Sequence, residues 1–315
     1  MSTNSAIAKL EAILAFLNEG LQNLPTGDGM TILYHSAGSS YSLRLDTGEQ
    51  AFVSARPLYD FTMSSTGIPY HVVSERKATA DDPFAPSPFR LLEGGTLDIP
   101  LQVLMDESAL APFLNDEPQA PSGLTLSNDE GQLYFNGCTV AFMEPACSFY
   151  ALDLSSHQIR KIESMSIGPG WIAPNGQRAV VYNYNPLWNP NNDAGLSVSR
   201  YLYFVVESPG MWQTDHMIDA NISELSWLPD GRFLYTAKAD DPREGIRLIL
   251  ANPDGTTARM LADNLSNTDF VLAPDGQRIA MINPTSGALM VLTLDTLRLE
   301  TVATLPGDAR LVIWR

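Results

Sequence analysis

A turn of sequence Pro-Asp-Gly or Pro-Asn-Gly, set between two apolar runs, occurs three times in this chain. The three segments are residues 171–182, 225–235 and 270–281. Proline presets the backbone angle φ of such a turn, the Asp or Asn side chain can bond its own backbone, and glycine accepts a positive φ. Each segment therefore predicts a β-hairpin, and the chain repeats that hairpin.

Two weaker copies of the hairpin extend the pattern towards the N-terminus. Residues 124–135 keep the acidic turn but lose the proline, and residues 26–34 keep the turn and the second strand. The glycines of the five turns are separated by 102, 45, 55 and 45 residues, and they are Gly29, Gly131, Gly176, Gly231 and Gly276. Because the first gap is about two repeat lengths, we expect a degenerate sixth unit near residues 55–120.

Two further strand-like runs follow the hairpin in the last two units. They are residues 246–251 and 256–261 in one unit, and residues 289–294 and 300–305 in the next. Four short strands in about 45 residues is the signature of a propeller blade. We therefore predict an all-β fold, a six-bladed β-propeller of four-stranded blades.

The two ends of the chain supply complementary parts of one unit. Residues 309–315 read as a first strand that stops before its turn, whereas residues 27–34 supply a turn and a second strand. We expect the termini to share a blade, because such closure removes exposed strand edges. The predicted domains are an N-terminal helix at residues 1–24 and the propeller at residues 25–315.

The repeats resemble those of the TolB-like, WD-repeat-like β-propellers, whose blades show a Trp-Ser-Pro-Asp-Gly turn ahead of an apolar strand. Trp227-Leu-Pro-Asp-Gly231 and Leu272-Ala-Pro-Asp-Gly276 match this turn, and Ile172-Ala-Pro-Asn-Gly176 matches it slightly less well. The resemblance covers residues 123–315 and implies a bacterial propeller protein. Repeats of this kind specify a fold and leave the function open.

The N-terminal segment, residues 5–18, is predicted to form an amphipathic helix that ends near Gly20. Its apolar face carries Ile7, Leu10, Leu14 and Leu17, and continues to Leu21. This stripe must be buried, either across a face of the ring or the flank of a blade, or in the groove of a partner.

The charge of the chain restricts its partners. It has 315 residues with 19 Lys and Arg against 36 Asp and Glu, which gives a net charge of −17. That excess argues against nucleic acid and anionic lipid as partners, because both are held chiefly by Lys and Arg. No apolar run approaches the ~18 residues of a membrane span, so we predict no membrane insertion.

The start of the sequence shows no signal peptide, since it lacks a cationic region followed by a clean apolar one. We expect a cytoplasmic protein if Met1 is the native start, and a periplasmic or extracellular one if a signal peptide has been removed. Cys138 and Cys147 could lie on neighbouring strands of one hairpin. We expect two small buried thiols, with a disulfide as the alternative.

The fourth unit is ten residues longer than its neighbours, and the excess lies in residues 182–195. Loops on a rigid ring are where binding residues collect, so this segment is the predicted binding site. A self-packed loop is the structural alternative. The candidate binding residues are Tyr182, Tyr184, Trp188, Asn189, Asn191, Asn192 and Asp193, and the proline-rich segment at residues 79–119 is the next candidate surface.

Motifs of the common enzyme classes are missing from the sequence. It contains no Gly-x-Ser-x-Gly, His-Glu-x-x-His, Gly-x-x-x-x-Gly-Lys or Cys-x-x-Cys motif. The alternation of Asn189, Asn191 and Asp193 is similar to a calcium loop, but Ala194 and Arg200 stand where glycine and glutamate are needed. The four histidines are too far apart in sequence to share a strand face: His35, His71, His157 and His216. We predict no catalytic residue, metal or cofactor.

These observations predict a noncatalytic β-propeller that binds a protein or peptide partner, with a glycan as another ligand. The alternatives are a propeller-type enzyme, such as a hydrolase or lactonase with a site in the central channel, and the propeller portion of a larger assembly. The sequence does not indicate the oligomeric state.

Overall fold

The computed structural model describes residues 29–54, 60–74, 88–94, 102–114, 119–141, 144–167, 170–186, 198–208, 211–218, 221–238, 245–265 and 269–314. The regular structure in these ranges is almost entirely β-strand, with one short helix, α1 (Glu107–Leu110), followed by a 3-10 turn (Ala111–Phe113). None of the helical residues described forms a helix long and apolar enough to cross a membrane. The predicted helix at residues 1–24 lies outside the described residues and stays a prediction.

The described strands form six four-stranded antiparallel sheets, one for each unit that the glycine spacing predicts. Blade 1 contains β24 (Arg310–Trp314), β1 (Thr31–Ser36), β2 (Ser39–Arg44) and β3 (Gln50–Ser54). Blade 2 contains β4 (Asp60–Met63), β5 (Pro69–Ser74), β6 (Phe89–Glu93) and β7 (Gln102–Asp106). Blade 3 contains β8 (Ser122–Leu126), β9 (Gln132–Ala141), β10 (Glu144–Asp153) and β11 (Ile159–Ile167).

The other three blades follow in chain order. Blade 4 contains β12 (Gly170–Ile172), β13 (Arg178–Pro186), β14 (Val198–Ser208) and β15 (Met211–Ile218). Blade 5 contains β16 (Asn221–Trp227), β17 (Phe233–Lys238), β18 (Ile246–Ala251) and β19 (Thr257–Leu265). Blade 6 contains β20 (Phe270–Leu272), β21 (Arg278–Ile282), β22 (Ala288–Thr293) and β23 (Arg298–Thr304). The prediction of an all-β propeller with four-stranded blades is confirmed.

The hydrophobic core lies between the blades and runs round the ring. Six clusters of buried side chains each join two neighbouring blades, and the cluster between blades 6 and 1 includes Ala280 and Trp314. The strand β24 pairs with β1, with Ile32 opposite Trp314 and Leu33 opposite Ile313. The described sheets therefore form a closed ring in which blade 1 is built from both ends of the chain.

The turn between the first two strands of a blade has the geometry that its sequence predicts. In blade 6, Gly276 has a φ of +65°. Its N–H donates to the carbonyl of Ala273 at 2.9 Å, and Asp275 Oδ1 accepts from the N–H of Gln277 at 2.8 Å. The side chain and the glycine thus stabilise the hairpin locally.

The two cysteines form a disulfide, so the expectation of two reduced thiols is wrong. Cys138 on β9 and Cys147 on β10 are directly opposite in the register, with Cα atoms 4.1 Å apart. Both residues are buried. Their directly opposed positions on the two strands bring the sulfur atoms together.

Candidate functional site

The first strand of each blade lines a channel at the centre of the ring. These strands are β24, β4, β8, β12, β16 and β20. Contacts join β24 to β4, β4 to β8, β8 to β12, β16 to β20 and β20 to β24. The hairpin turns follow their C-terminal ends, so all six ends lie on one side of the ring, the turn face. Their N-terminal ends lie on the opposite side.

A cavity of about 730 Å³ opens at the turn face. Its rim includes turn residues of several blades, among them Asn128, Pro174 and Pro229. Trp171 and Leu272 line its wall and are only partly buried. The wall of this wide cavity therefore contains apolar side chains, and polar side chains lie beside them.

A second cavity, of about 380 Å³, lies at the other end of the channel. It is lined by Asp60, Glu224 and Asp269, together with His35 and Arg310. We call this end the acidic mouth. The two cavities share Asp60 and Glu224, so they are parts of the same channel.

The three carboxylates occupy the same position in three repeats. Asp60, Glu224 and Asp269 each lie seven residues before a turn glycine of positive φ, namely Gly67, Gly231 and Gly276. Because the blades are related by rotation about the channel, equivalent repeat positions converge on its axis. This offset is the sequence signal for the site, and it was missed because the turn of blade 2 lacks the Pro-Asp-Gly motif.

Asp60 is the first residue of β4 and ties blade 2 to blade 3. Its Oδ2 accepts hydrogen bonds from the N–H groups of Gly123 and, at 3.3 Å, Leu124. Its Oδ1 accepts from the N–H of Phe61 at 2.7 Å. Burial raises the pKa of Asp60 to about 6, although these backbone bonds favour the charged form.

Glu224 lies on β16, where its carboxyl is partly buried. Burial, and then the nearby charges of Asp269 and Asp60, together raise the pKa of Glu224 to about 7. Asp269 itself accepts from Arg310 Nη1 at 2.8 Å in an ion pair. Of the described residues that line this mouth, Arg310 carries the permanent positive charge. The arrangement can receive a cationic group, because a cation relieves the repulsion between the carboxylates.

The described residues contain no group of three His, Cys, Asp or Glu side chains arranged to hold a metal ion. The four histidines are spread over the ring. His35 lies at the acidic mouth, where its Nδ1 is 3.0 Å from Ser40 Oγ. His71 is buried and stacks on Phe61 with ring centroids 6.0 Å apart. His157 lies in the turn after β10, and His216 lies on β15.

The binding segment predicted at residues 182–195 is only partly described. Tyr182 and Tyr184 lie on β13, opposite Leu202 and Arg200 of β14. The extra length of this unit therefore begins as a lengthened hairpin and not as a loop. The other candidates lie outside the described residues, and they are Trp188, Asn189, Asn191, Asn192 and Asp193.

Comparisons with known proteins support the fold. Residues 172–298 match the family model described as the lipoprotein LpqB beta-propeller domain. TolB from Acinetobacter baumannii has a similar structure, with a TM-score of 0.62 and 13% identity over 92% of this chain and 68% of that one. No curated protein is detectably similar to the chain in sequence.

Two further solved structures share the architecture. A chain of the nidogen/laminin complex gives a TM-score of 0.56 with 9% identity, over 90% of this chain and 96% of that one. Hydrazine synthase of Kuenenia stuttgartiensis gives a TM-score of 0.50 with 15% identity, over 88% and 77%. At these identities the likeness is one of fold alone.

Proposed function

We propose that this TolB-like β-propeller is a noncatalytic platform that binds a protein or peptide partner, and that its acidic mouth receives a cationic group of that partner. The observation that carries the proposal is the convergence of Asp60, Glu224 and Asp269, from three different blades, on one open cavity. Asp60 also joins blade 2 to blade 3 through its backbone bonds, whereas the hairpins and the ring do not require a carboxylate at Glu224.

Electrostatics supports a cationic ligand. The raised pKa values of Asp60 and Glu224 mean that ionisation in the mouth is costly in the free protein. A lysine, arginine or N-terminal amine would offset that cost, and charge-assisted hydrogen bonds are among the stronger polar contacts. The closed ring holds the groups in place, so little conformational entropy is lost on binding. The nidogen/laminin complex, a propeller of the same fold in a protein assembly, is consistent with this use.

A charge-matched pair of variants tests the proposal. The probe is a lysine-rich hexapeptide with a free N-terminus, titrated calorimetrically at physiological salt. Glu224→Gln/Asp269→Asn removes two carboxyl groups from the mouth, of which Asp269 is paired with Arg310. Asp230→Asn/Glu300→Gln removes two carboxylates outside the mouth, each paired with an arginine. We expect the mouth variant to bind at least tenfold more weakly, about 1.4 kcal/mol, and the control to bind within twofold of the parent. Equal losses of peptide affinity in the two variants would show that the peptide responds to the net charge of the protein. That result would contradict the proposal.

The lengthened hairpin of blade 4 is proposed as a second contact, with Trp188 as its anchor. Strands β13 and β14 are 9 and 11 residues long, and residues 187–197 connect them in the sequence. Tryptophan is enriched among the residues that dominate interfaces. Trp188→Ala should weaken capture of the partner while the melting temperature changes little. A large fall in melting temperature would place Trp188 in a structural role instead.

A propeller-type hydrolase is the second candidate, and one observation favours it. Carboxyl groups with pKa values near 7 are suited to general acid–base catalysis, and Glu224 is such a group in an open cavity. An enzyme of this kind should hydrolyse ester or lactone substrates with a rate that titrates near pH 7. Glu224→Gln should abolish that rate. If the parent protein turns over none of these substrates, the hydrolase is excluded and the binding platform is the remaining proposal.

The disulfide supports a periplasmic or extracellular location over the cytoplasmic one. Disulfides persist in oxidising compartments and are rare in the cytosol. The family model that matches residues 172–298 is described as a lipoprotein domain, which is consistent with such a location. Thiol alkylation of the protein in intact native cells, followed by mass spectrometry, should find Cys138 and Cys147 protected. Alkylation of both without prior reduction would place the protein in a reducing compartment.

A further inference from the structure

We propose that the wide cavity at the turn face binds a small molecule that carries one amine on an apolar body. The amine lies at Glu224, and the apolar body fills the cavity above it. The function proposed above uses the other end of the channel and a protein or peptide partner. The two sites share Glu224, so this proposal rests on the proposed function for the affinity of that carboxylate for a cation.

The first step is the size and the lining of the cavity. Its volume is about 730 Å³, and small-molecule sites usually have roughly 300 to 1,000 Å³. Half-buried apolar side chains from four blades line it, and they are Met63, Trp171, Leu272 and Ile313. Each of them keeps apolar surface in contact with solvent, and a ligand with an apolar body would cover that surface favourably.

The second step is the charge of the lining. Of the described residues that line the wide cavity, Asp60 and Glu224 are charged, and both are acidic. Arg310 lines the narrower cavity at the other end of the channel, where it is paired with Asp269. A cation that enters from the turn face therefore reaches the carboxylates without passing a basic side chain of the described residues.

The third step is the state of Glu224. The carboxylate of Asp60 accepts hydrogen bonds from backbone N–H groups of blade 3. Within the described ranges, the carboxyl of Glu224 accepts no hydrogen bond and forms no ion pair. Burial and the charges of Asp269 and Asp60 hold its pKa at about 7. An ammonium group would supply both a hydrogen-bond donor and the opposite charge.

The fourth step is the direction in which Glu224 faces. Along β16, Glu224 and Ser226 are half-buried, whereas Leu225 and Trp227 are buried in the core between blades 4 and 5. Alternate side chains of a strand point to opposite sides, so Ser226 lies on the same side as Glu224 and nearer to the turn face. Ser226 lines the wide cavity and not the acidic mouth. A large side chain at this position would therefore block the approach to Glu224 from the turn face alone.

The first experiment compares ligands that differ in one group. The calorimetric probes are 4-phenylbutylamine, the neutral 4-phenylbutanol, and butylamine, which has the charge without the aromatic ring. At pH 8 we expect the full chain to bind 4-phenylbutylamine at least about tenfold more tightly than either of the others. The preference for amine over alcohol should shrink at pH 5, where Glu224 is protonated, and disappear in Glu224→Gln. Equal affinities for amine and alcohol at pH 8 would overturn the proposal.

The second experiment assigns the amine to the wide cavity. Ser226→Phe fills the wall beside Glu224, and Thr301→Phe adds the same ring to the exposed outer strand β23. We expect Ser226→Phe to bind 4-phenylbutylamine at least about tenfold more weakly than the parent, and Thr301→Phe to bind it within about twofold. Both variants should retain the binding of the lysine-rich hexapeptide. Unchanged amine binding in Ser226→Phe would overturn this proposal and leave the function of the acidic mouth intact.

A third measurement does not depend on whether Ser226→Phe folds. Leu272→Cys places a thiol in the wall of the wide cavity, and Leu299→Cys places one on β23. Both native cysteines are held in the disulfide, so the introduced thiol is the one that reacts with a maleimide. Saturating 4-phenylbutylamine should slow the reaction of the first thiol at least about fivefold, as expected of an occupied site, and leave the second unchanged. Protection of neither thiol, or equal protection of both, would overturn the proposal.

Discussion

Glu224 is a carboxyl group whose free energy depends on its neighbours at the channel. Its pKa of about 7 exceeds the ordinary value because burial, and then the charges of Asp269 and Asp60, disfavour ionisation. The folded protein therefore binds a proton at Glu224 more tightly than the unfolded chain does. The stabilisation that proton binding at Glu224 gives to the folded state is fully present below the ordinary carboxyl pKa. It is lost as the pH rises through about 7.

The first prediction is that Glu224→Gln stabilises the protein at pH 8 and leaves it nearly unchanged at pH 4. The gain should be on the order of 1 to 3 kcal/mol, because one pKa unit corresponds to about 1.4 kcal/mol. Urea denaturation at a series of pH values checks it, with Glu300→Gln as an exposed control. A pH profile identical to that of the parent would show that Glu224 is not held in a costly charged form.

The side chain of Asn136 forms hydrogen bonds with the backbone of a neighbouring strand at the channel. Its Oδ1 accepts from the N–H of Gly170 at 3.0 Å, and its Nδ2 donates to the carbonyl of Gly170 at 2.6 Å and to that of Ser122 at 3.0 Å. Asn136 is buried. The side-chain amide of Asn136 thus donates and accepts hydrogen bonds as a backbone peptide group would. These bonds join blade 3 to the first strand of blade 4.

The second prediction follows from those bonds. Asn136→Leu is similar in size but leaves backbone groups of Gly170 unpaired in a buried place, so it should lower the free energy of unfolding by about 2 to 4 kcal/mol. Asn175→Leu, at an exposed turn of blade 4, should cost less than about 1 kcal/mol. Comparable losses in the two variants, measured by urea denaturation, would mean that the amide bonds of Asn136 add little.

At the scale of the element, the hairpins were predictable and the links between them were not. The turn at Asp275 and Gly276 is encoded in three consecutive residues, so its chemistry is visible in the sequence. The bonds of Asp60 and Asn136 join positions that are 63 and 34 residues away. The candidate site was missed for two reasons: its carboxylates meet only through the rotation of the blades, and the turn of blade 2 lacks the Pro-Asp-Gly motif that would have shown the shared position. The disulfide needed the register of β9 and β10, which the cysteine spacing left open.

The third prediction concerns the hairpin of β9 and β10. Its disulfide joins cysteines nine positions apart, and closing a loop of that size should stabilise the protein by about 2 to 3 kcal/mol in the chain-entropy model. Cys138→Ser/Cys147→Ser should lose this amount in denaturation experiments. The parent with its disulfide reduced should behave like the variant. If reduction of the disulfide leaves the denaturation midpoint unchanged, the crosslink does not stabilise the protein by constraining the unfolded chain.

At the scale of the whole molecule, stability depends on closure of the ring. Strand β24 is the inner strand of blade 1, and it contacts both neighbours through their cores. Trp314 packs in the cluster with blade 6, where the guanidinium of Arg278 lies 4.9 Å from its ring, and Ile313 packs in the cluster with blade 2. Loss of this strand would expose the edge of β1 and uncover two interfaces at once.

The last prediction compares two truncations and two substitutions. Deletion of residues 309–315 should remove most of the stability of the ring, whose total for a natural domain is about 5 to 15 kcal/mol, whereas deletion of residues 1–4 should change it little because that stretch is mostly polar. Trp314→Ala provides a variant that stays folded, and truncation of this buried side chain should cost about 3 to 5 kcal/mol. Leu299→Ala, at a half-exposed position of β23, is the matched control and should cost less than about 1 kcal/mol. Melting temperatures and urea midpoints measure all four proteins. Equal stabilities of the two truncated chains would mean that the ring does not depend on its closing strand.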